Sequence, residues 1–194
     1  MSQLSRKLSV NSKPWAQNAQ GSVVSVIIEA NEEQLELHWQ LKNDSPFAKP
    51  RSTNGEVYKD KCLEFFFVPN KRETRYLNLE VNCLGVPHFA FGPNREQRKF
   101  VSSQYLKEQT FASTLSLGFI PEQENSIRKD WEMNWKLNLK DLSKELEIDF
   151  RPEEWHGNLQ ICGGSGWQQY QTCFPIKTKT PDFHRPEFFQ KIFG

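Results

Sequence analysis

Glu64, Asn78, Glu80, Asn82, Asn158 and Gln160 are the side chains of this sequence best suited to hold a ligand. They fall at alternate positions of three β-rich runs, 61–68 (KCLEFFFV), 75–83 (RYLNLEVNC) and 157–162 (GNLQIC). Residues two apart in a strand point the same way. Leu63, Phe65 and Phe67 therefore share a dry face, while Cys62, Glu64, Phe66 and Val68 share the other. The same sorting sets Leu77, Leu79, Val81 and Cys83 against Asn78, Glu80 and Asn82, and Leu159 and Ile161 against Asn158, Gln160 and Cys162. Amides and carboxylates can each make two hydrogen bonds with neighbouring hydroxyls. Sugars present that pattern, but an amide-rich solvated face would produce the same spacing.

Other chemistries are weaker fits. Glu64 and Glu80 on neighbouring strands could form a glycosidase pair, which needs two carboxyl groups about 5–10 Å apart. The glycine-rich GGSGW at 163–167 lacks the final glycine of a nucleophile elbow and the lysine and helix of a phosphate cradle. It reads as a turn. Cys62, Cys83, Cys162 and Cys173 are far apart and form no CxxC pair, so spacing gives no zinc site. Free, mostly buried thiols are the simplest account, with a disulfide left open. His38 lies beside Trp39 on a strand and is expected at the surface, and no partner is identifiable for His88 or His156.

The elements that position these residues are strands. Residues 23–29 (VVSVIIE) and 34–41, where Leu35, Leu37, Trp39 and Leu41 alternate with polar residues, form a hairpin through 30–33. Residues 42–59 turn to Asn, Ser, Pro, Gly and Thr and predict a long loop, a feature that is often functional. Strand patterns continue at 61–68, 75–83, 86–91, 110–118, 131–139, 157–162 and 168–174, and only 139–146 (LKDLSKEL) reads as helix. Many short strands separated by turn residues predict an all-β, antiparallel β-sandwich, jelly-roll or immunoglobulin-like, with at most one or two short helices. The 194 residues fit one domain, with 1–20 as an extended N-terminal segment.

Composition narrows the partners. The net charge of +1, with Lys and Arg scattered, argues against nucleic acid. No apolar run approaches the ~20 residues of a membrane span. The start, MSQLSRKLSVNSKPW, has no apolar h-region, so a cytoplasmic protein is expected, or a secreted one whose leader has been removed. The 15 Phe, 6 Trp and 4 Tyr exceed what a core alone requires and leave rings for a binding surface.

Three segments carry a resemblance. VYKDKCLEFFFVP (57–69), followed by YLNLEVNCLG (76–85) and by TPDFHRPEFF (180–189), resembles the family 9 carbohydrate-binding modules and their stand-alone relatives, in the same chain order. Gly92, Arg95 and Arg98 resemble the stand-alone relatives as well. The resemblance implies a non-catalytic domain that holds a mono- or oligosaccharide, associated with xylanases and polysaccharide catabolism. By its pattern two aromatic residues sandwich a terminal sugar ring, and those positions are Tyr58 and Phe183, where the best-known modules have Trp. Glu64 and Asn82 match the hydrogen-bonding Glu and Asn. Asn158 and Gln160 fall where the family places amides. Glu80 stands where sugar-binding members often have Arg, reversing a charge in the slot. His184 and Arg185 would either touch ligand or clamp the tail to the sheet. Structural calcium is the one cofactor the resemblance allows, with Asp44, Glu56 and Asp60 of the 42–60 loop as candidate ligands, although Asp60 suits anchoring its own loop. Glycoside hydrolysis by Glu64 and Glu80, or a decayed slot that now mediates protein contacts, remain as alternatives, and oligomeric state is open.

Overall fold

Period-two alternation dominates the chain, and the computed structural model folds it into two antiparallel sheets packed face to face. Residues 3–15, 22–115, 128–163 and 169–194 are described. The 163–167 turn lies almost wholly outside them, as do 116–118 of the expected 110–118 strand, residue 168 of the expected 168–174 strand, and 1–2 and 16–20 of the N-terminal segment.

The first sheet is made of β1 (Leu4–Ser9), β2 (Val23–Ala30), β3 (Gln34–Asp44), β8 (Thr110–Ser113) and β9 (Lys129–Asn138), in the order β1-β2-β3-β9-β8. The β2–β3 hairpin pairs Ala30 with Leu35, and Asn31 Oδ1 closes its turn by accepting from the backbone N–H of Glu33 and Gln34. The N-terminal segment does more than extend along the surface, since β1 pairs with β2 as an edge strand.

The second sheet contains β4 (Cys62–Val68), β5 (Tyr76–Asn82), β6 (Pro87–Gly92), β7 (Lys99–Phe100), β10 (His156–Cys162) and β11 (Gln171–Thr172), in the order β11-β10-β4-β5-β6-β7. The short β12 (Gln190–Lys191) also pairs with β10. Of the expected 168–174 strand only β11 forms among the described residues. Among the described residues there are also two α-helices, α1 (Ser103–Lys107) and α2 (Leu139–Leu146). The first was not visible in the sequence pattern; the second begins at Asn138, whose side chain accepts from Asp141 N–H. No helix among the described residues is long and apolar enough to cross a membrane.

Leu35, Leu37, Trp39 and Leu41 of β3 and Met133, Trp135 and Leu137 of β9 meet Leu63, Phe65, Phe67, Leu77, Leu79 and Leu159 in one shared core. Trp39 and Trp135 lie 5.5 Å apart, and Phe67 packs on Trp155 at 4.5 Å. The dry set assigned from alternation is this core. The second sheet departs from a simple sandwich, because its outer side is buried too. Tyr76–Asn82 is buried at every position, as are Gly157–Cys162. The 45–60 loop and the C-terminal segment lie over that side, and they position the site.

Candidate functional site

Above the outer side of β4 and β5 the covering segments leave a cavity of about 470 Å³, within the ~300–1,000 Å³ usual for ligand sites. Glu64 and Glu80, cross-strand partners, reach it from the sheet. Phe47, Lys49, Arg51, Tyr58 and Lys59 come from the long loop and its 3-10 turn Val57–Lys59. Arg95 and Arg98 come from the turn after β6, Tyr170 precedes β11, and Asp182, Phe183 and His184 come from the tail. Cys162 completes the wall from β10.

Tyr58 is 37% exposed and stands edge-on to His88 at 6.2 Å. His88, left without a partner by the sequence, is buried, with Nδ1 on the Gly55 carbonyl at 2.8 Å, and so braces both the loop and the ring. Phe183 packs between Trp15 at 5.6 Å and Tyr170 at 5.9 Å. Trp15 lies far away in sequence and Tyr170 just before β11, and only the aromatic surplus hinted at them. His184 is both a clamp and a cavity residue. Its Nδ1 meets the Tyr76 hydroxyl at 2.8 Å, and its ring lies on Phe66 at 4.9 Å. Burial, aided by Arg98 and Arg95, lowers its pKa to about 3, so it stays neutral.

The floor is electrostatically unusual. Glu64 is 3% exposed, and its Oε1 accepts from the Cys162 thiol at 3.2 Å. Burial, with Cys162 and Glu80 beside it, pushes its carboxyl well above the ordinary range. Glu80 is also raised by burial, while His88, Arg98, a bond from Asn78 Nδ2 and Arg95 pull the other way. Arg98 Nη1 lies 3.6 Å from Glu80 Oε1. The chain there turns back tightly at Gly92, where a Cβ would come within 2.4 Å of Arg98 Cα. Glu80 does bring a carboxyl group to the slot, and Arg98 brings a cation beside it from the next turn.

Five residues named from the sequence as ligand contacts do not line the cavity, the first being Asn78, whose Nδ2 donates to Glu80 at 2.8 Å. Asn82 Nδ2 donates to Asp60 at 2.9 Å, and its Oδ1 accepts from Leu84 and Val86 N–H. Asn158 exchanges two hydrogen bonds with the Phe174 backbone. Both amides hold covering segments down on the sheet, a use that alternation cannot distinguish from ligand contact. Gln160 is fully buried opposite Glu64 on the neighbouring strand. Arg185 turns to Glu187 at 2.6 Å and Asp182 at 3.7 Å.

The carboxylates considered for calcium do not fit it. Asp60 accepts from Lys49 N–H, from the Arg51 guanidinium at 3.0 Å and from Asn82, so it does anchor its loop. Asp44 is taken up by Ser22, by Trp131 Nε1 at 2.8 Å and by the buried Lys61 ammonium at 3.0 Å. Burial opposes its charge, but Lys61 and these hydrogen bonds outweigh it and hold its pKa below the ordinary value. Glu56 is on the surface with Lys59 at 2.8 Å. Among the described residues, the ligand-type atoms of Cys62, Glu64 and Cys162 do lie within 4.8 Å of one another. Two thiols and one carboxyl are a poor match for calcium, which takes six to eight oxygens. The four cysteines are free thiols.

The sequence matches a family model described as Carbohydrate-binding family 9 over residues 3–193. No curated protein matches. Among solved structures, a candidate carbohydrate-binding protein from Bacteroides uniformis ATCC 8492 is similar with a TM-score of 0.80 and 25% identity, covering 95% of this chain and 84% of that one. A family 9 carbohydrate-binding module from Caldicellulosiruptor kristjanssonii in complex with glucose has a TM-score of 0.56 at 12% identity, over 95% and 81% of the two chains. The structure of such a module from the same organism with cellotriose has a TM-score of 0.52 at 11% identity, over 96% and 79%. At those identities the last two show a shared fold.

Proposed function

The chain belongs to carbohydrate-binding family 9, and from that premise we propose that it binds a sugar ring between Tyr58 and Phe183 above Glu64 and Glu80. The observation that carries this reading is the meeting of Tyr58 and Phe183, from distant segments of the chain, on one cavity floored by buried carboxyl groups. A pyranose has apolar ring faces for the aromatic side chains and hydroxyls at its rim for the polar ones. Glu64, held toward its neutral form, would donate one hydrogen bond as well as accept. Tyr and Phe present less ring surface than Trp, so weak binding is expected, roughly micromolar to millimolar, or about −8 to −4 kcal/mol. Such a domain would serve polysaccharide catabolism by holding an associated enzyme, of the xylanase kind, on its substrate.

The test is titration calorimetry with glucose, cellobiose and xylobiose. Wild type should give saturable heat, and Tyr58→Ala should weaken it about tenfold or more with only a small fall in Tm, since that residue is 37% exposed. Equal heats for wild type and Tyr58→Ala would remove the sandwich. Steady release of reducing ends from cellobiose, lost in Glu64→Gln, would instead favour hydrolysis by the two carboxyl groups.

A further inference from the structure

The charged groups around the slot do not cancel, and the remainder has a sign. Two of them are answered by partners outside it, Arg51 by Asp60 at 3.0 Å and Lys59 by Glu56 at 2.8 Å, and Asp182 is answered in part by Arg185 at 3.7 Å, which it shares with Glu187. That leaves Lys49, Arg95 and Arg98 facing Glu64 and Glu80. Lys49 and Arg95 are exposed at the rim, and no carboxylate of the described residues is within ion-pair reach of either. Glu64 contributes little negative charge, because burial favours its neutral form. Glu80 and the partly answered Asp182 are therefore the anions set against three cations, and Glu80 does not satisfy the nearest of them. At 3.6 Å the Arg98–Glu80 contact is an ion pair without a hydrogen bond, and Arg98 Nη1 is a buried donor with no acceptor. Such a donor is costly to leave unmade. A neutral sugar would offer it a hydroxyl and leave the rim charges to water.

The geometry points to an acidic sugar, a uronic acid whose carboxylate rests on Arg98 with Arg95 and Lys49 at the rim, as the ligand of this slot. This rests on the sugar-binding reading above and specifies its substrate class. A planar carboxylate matches the guanidinium fork, which bonds it through two parallel N–H groups. The ring could keep its place between Tyr58 and Phe183, while the charged carbon points toward the turn that carries Arg95 and Arg98.

Calorimetry on the intact chain with D-glucuronate, D-galacturonate, glucose and glucose 6-phosphate tests the assignment. At low salt at least one uronate should bind about tenfold or more tighter than glucose, the worth of one charge-assisted bond. Added sodium chloride should shrink that ratio, because the rim charges are open to screening. Arg98→Gln should abolish the preference. Arg95→Gln, at an exposed position where folding is not at stake, should reduce it about two- to threefold. Glucose binding as tightly as either uronate would overturn the acidic-sugar assignment and leave sugar binding intact. Silence with all four ligands would remove both readings. Glucose 6-phosphate outbinding the uronates would replace the carboxylate with a phosphate, and an unchanged preference in both Arg variants would sink the role given to the cations.

Discussion

Both sheets turn polar side chains away from the shared core, but the two outer faces live in different solvents. On the first sheet Glu36, His38, Gln40, Glu132, Asn134 and Lys136 are exposed or half-buried, and their pairs, such as Lys136–Glu36 at 3.3 Å, sit against water. On the second sheet Glu64, Asn78, Glu80, Asn82, Asn158 and Gln160 are all 3% exposed or less. Strand alternation is the same in both, so what separates them is the cover. Phe47 and Val57 of the loop and Phe189 of the tail are buried over the second sheet's outer side. The lesson is that a period-two pattern assigns a face and says nothing about what lies over it. Once covered, polar groups must find protein partners or bind a ligand.

The largest test of this contrast removes an anchor of the cover. Asp60 is completely buried and holds Arg51, Lys49 N–H and Asn82 together. Asp60→Ala leaves a guanidinium and an amide donor without their acceptor, a change that typically costs 3–5 kcal/mol when one partner of a buried pair is lost. Arg51 retains some exposure, so about 3 kcal/mol is expected, or roughly 6–12 °C in Tm for a chain of this size. Urea melts with an unchanged m-value would check it. A loss below about 1 kcal/mol would mean that the loop is held by its apolar residues alone.

The middle-sized effect carries a sign that depends on pH. The pKa of Glu64 is raised in the folded state by burial. Below the ordinary carboxyl value both folded and unfolded forms are protonated and this group costs nothing. As pH rises past that value the unfolded chain ionises first, so stability falls until the folded pKa is reached. Glu64→Gln removes the titration while keeping the shape. It should therefore be more stable than wild type at pH 8, by on the order of 1–2 kcal/mol, with the gap closing by pH 4. Asp44 has the opposite linkage: its pKa is lowered by Lys61 and its hydrogen bonds, so its contribution is present above the ordinary carboxyl value and fades as pH falls through the folded one. A Tm difference between Glu64→Gln and wild type that ignores pH would show Glu64 to be solvated after all.

Much of the architecture was legible. The hairpin at 23–41, the strand at 131–139 and the helix at 139–146 announced themselves in the residue pattern. Helix α1 was hidden because five residues are too few for a period to show. In the site, family resemblance pointed to Tyr58, Glu64, Glu80, Phe183 and His184, which do share the cavity. Asn82 and Asn158 were placed on the right face yet serve the cover, because hydrogen-bond partners far off in sequence decide that role. Lys49 and Arg51 carried no signal beyond membership of a long polar loop.

The smallest expected effect is on the open face, where it calibrates the rest. Lys136 and Glu36 are cross-strand partners whose side chains are 60% and 40% exposed. A surface pair of this kind gains little from Coulomb attraction in water, loses side-chain entropy on ordering, and is screened by salt. Lys136→Ala should cost about 0–0.5 kcal/mol, and 0.5 M salt should erase the difference from wild type. Set beside Asp60→Ala, it compares carboxylate–cation contacts of similar length that differ in cover. If Lys136→Ala cost as much as Asp60→Ala, burial could not be what distinguishes the two faces, and the argument that the covered carboxyl and guanidinium groups await a ligand would lose its physical basis.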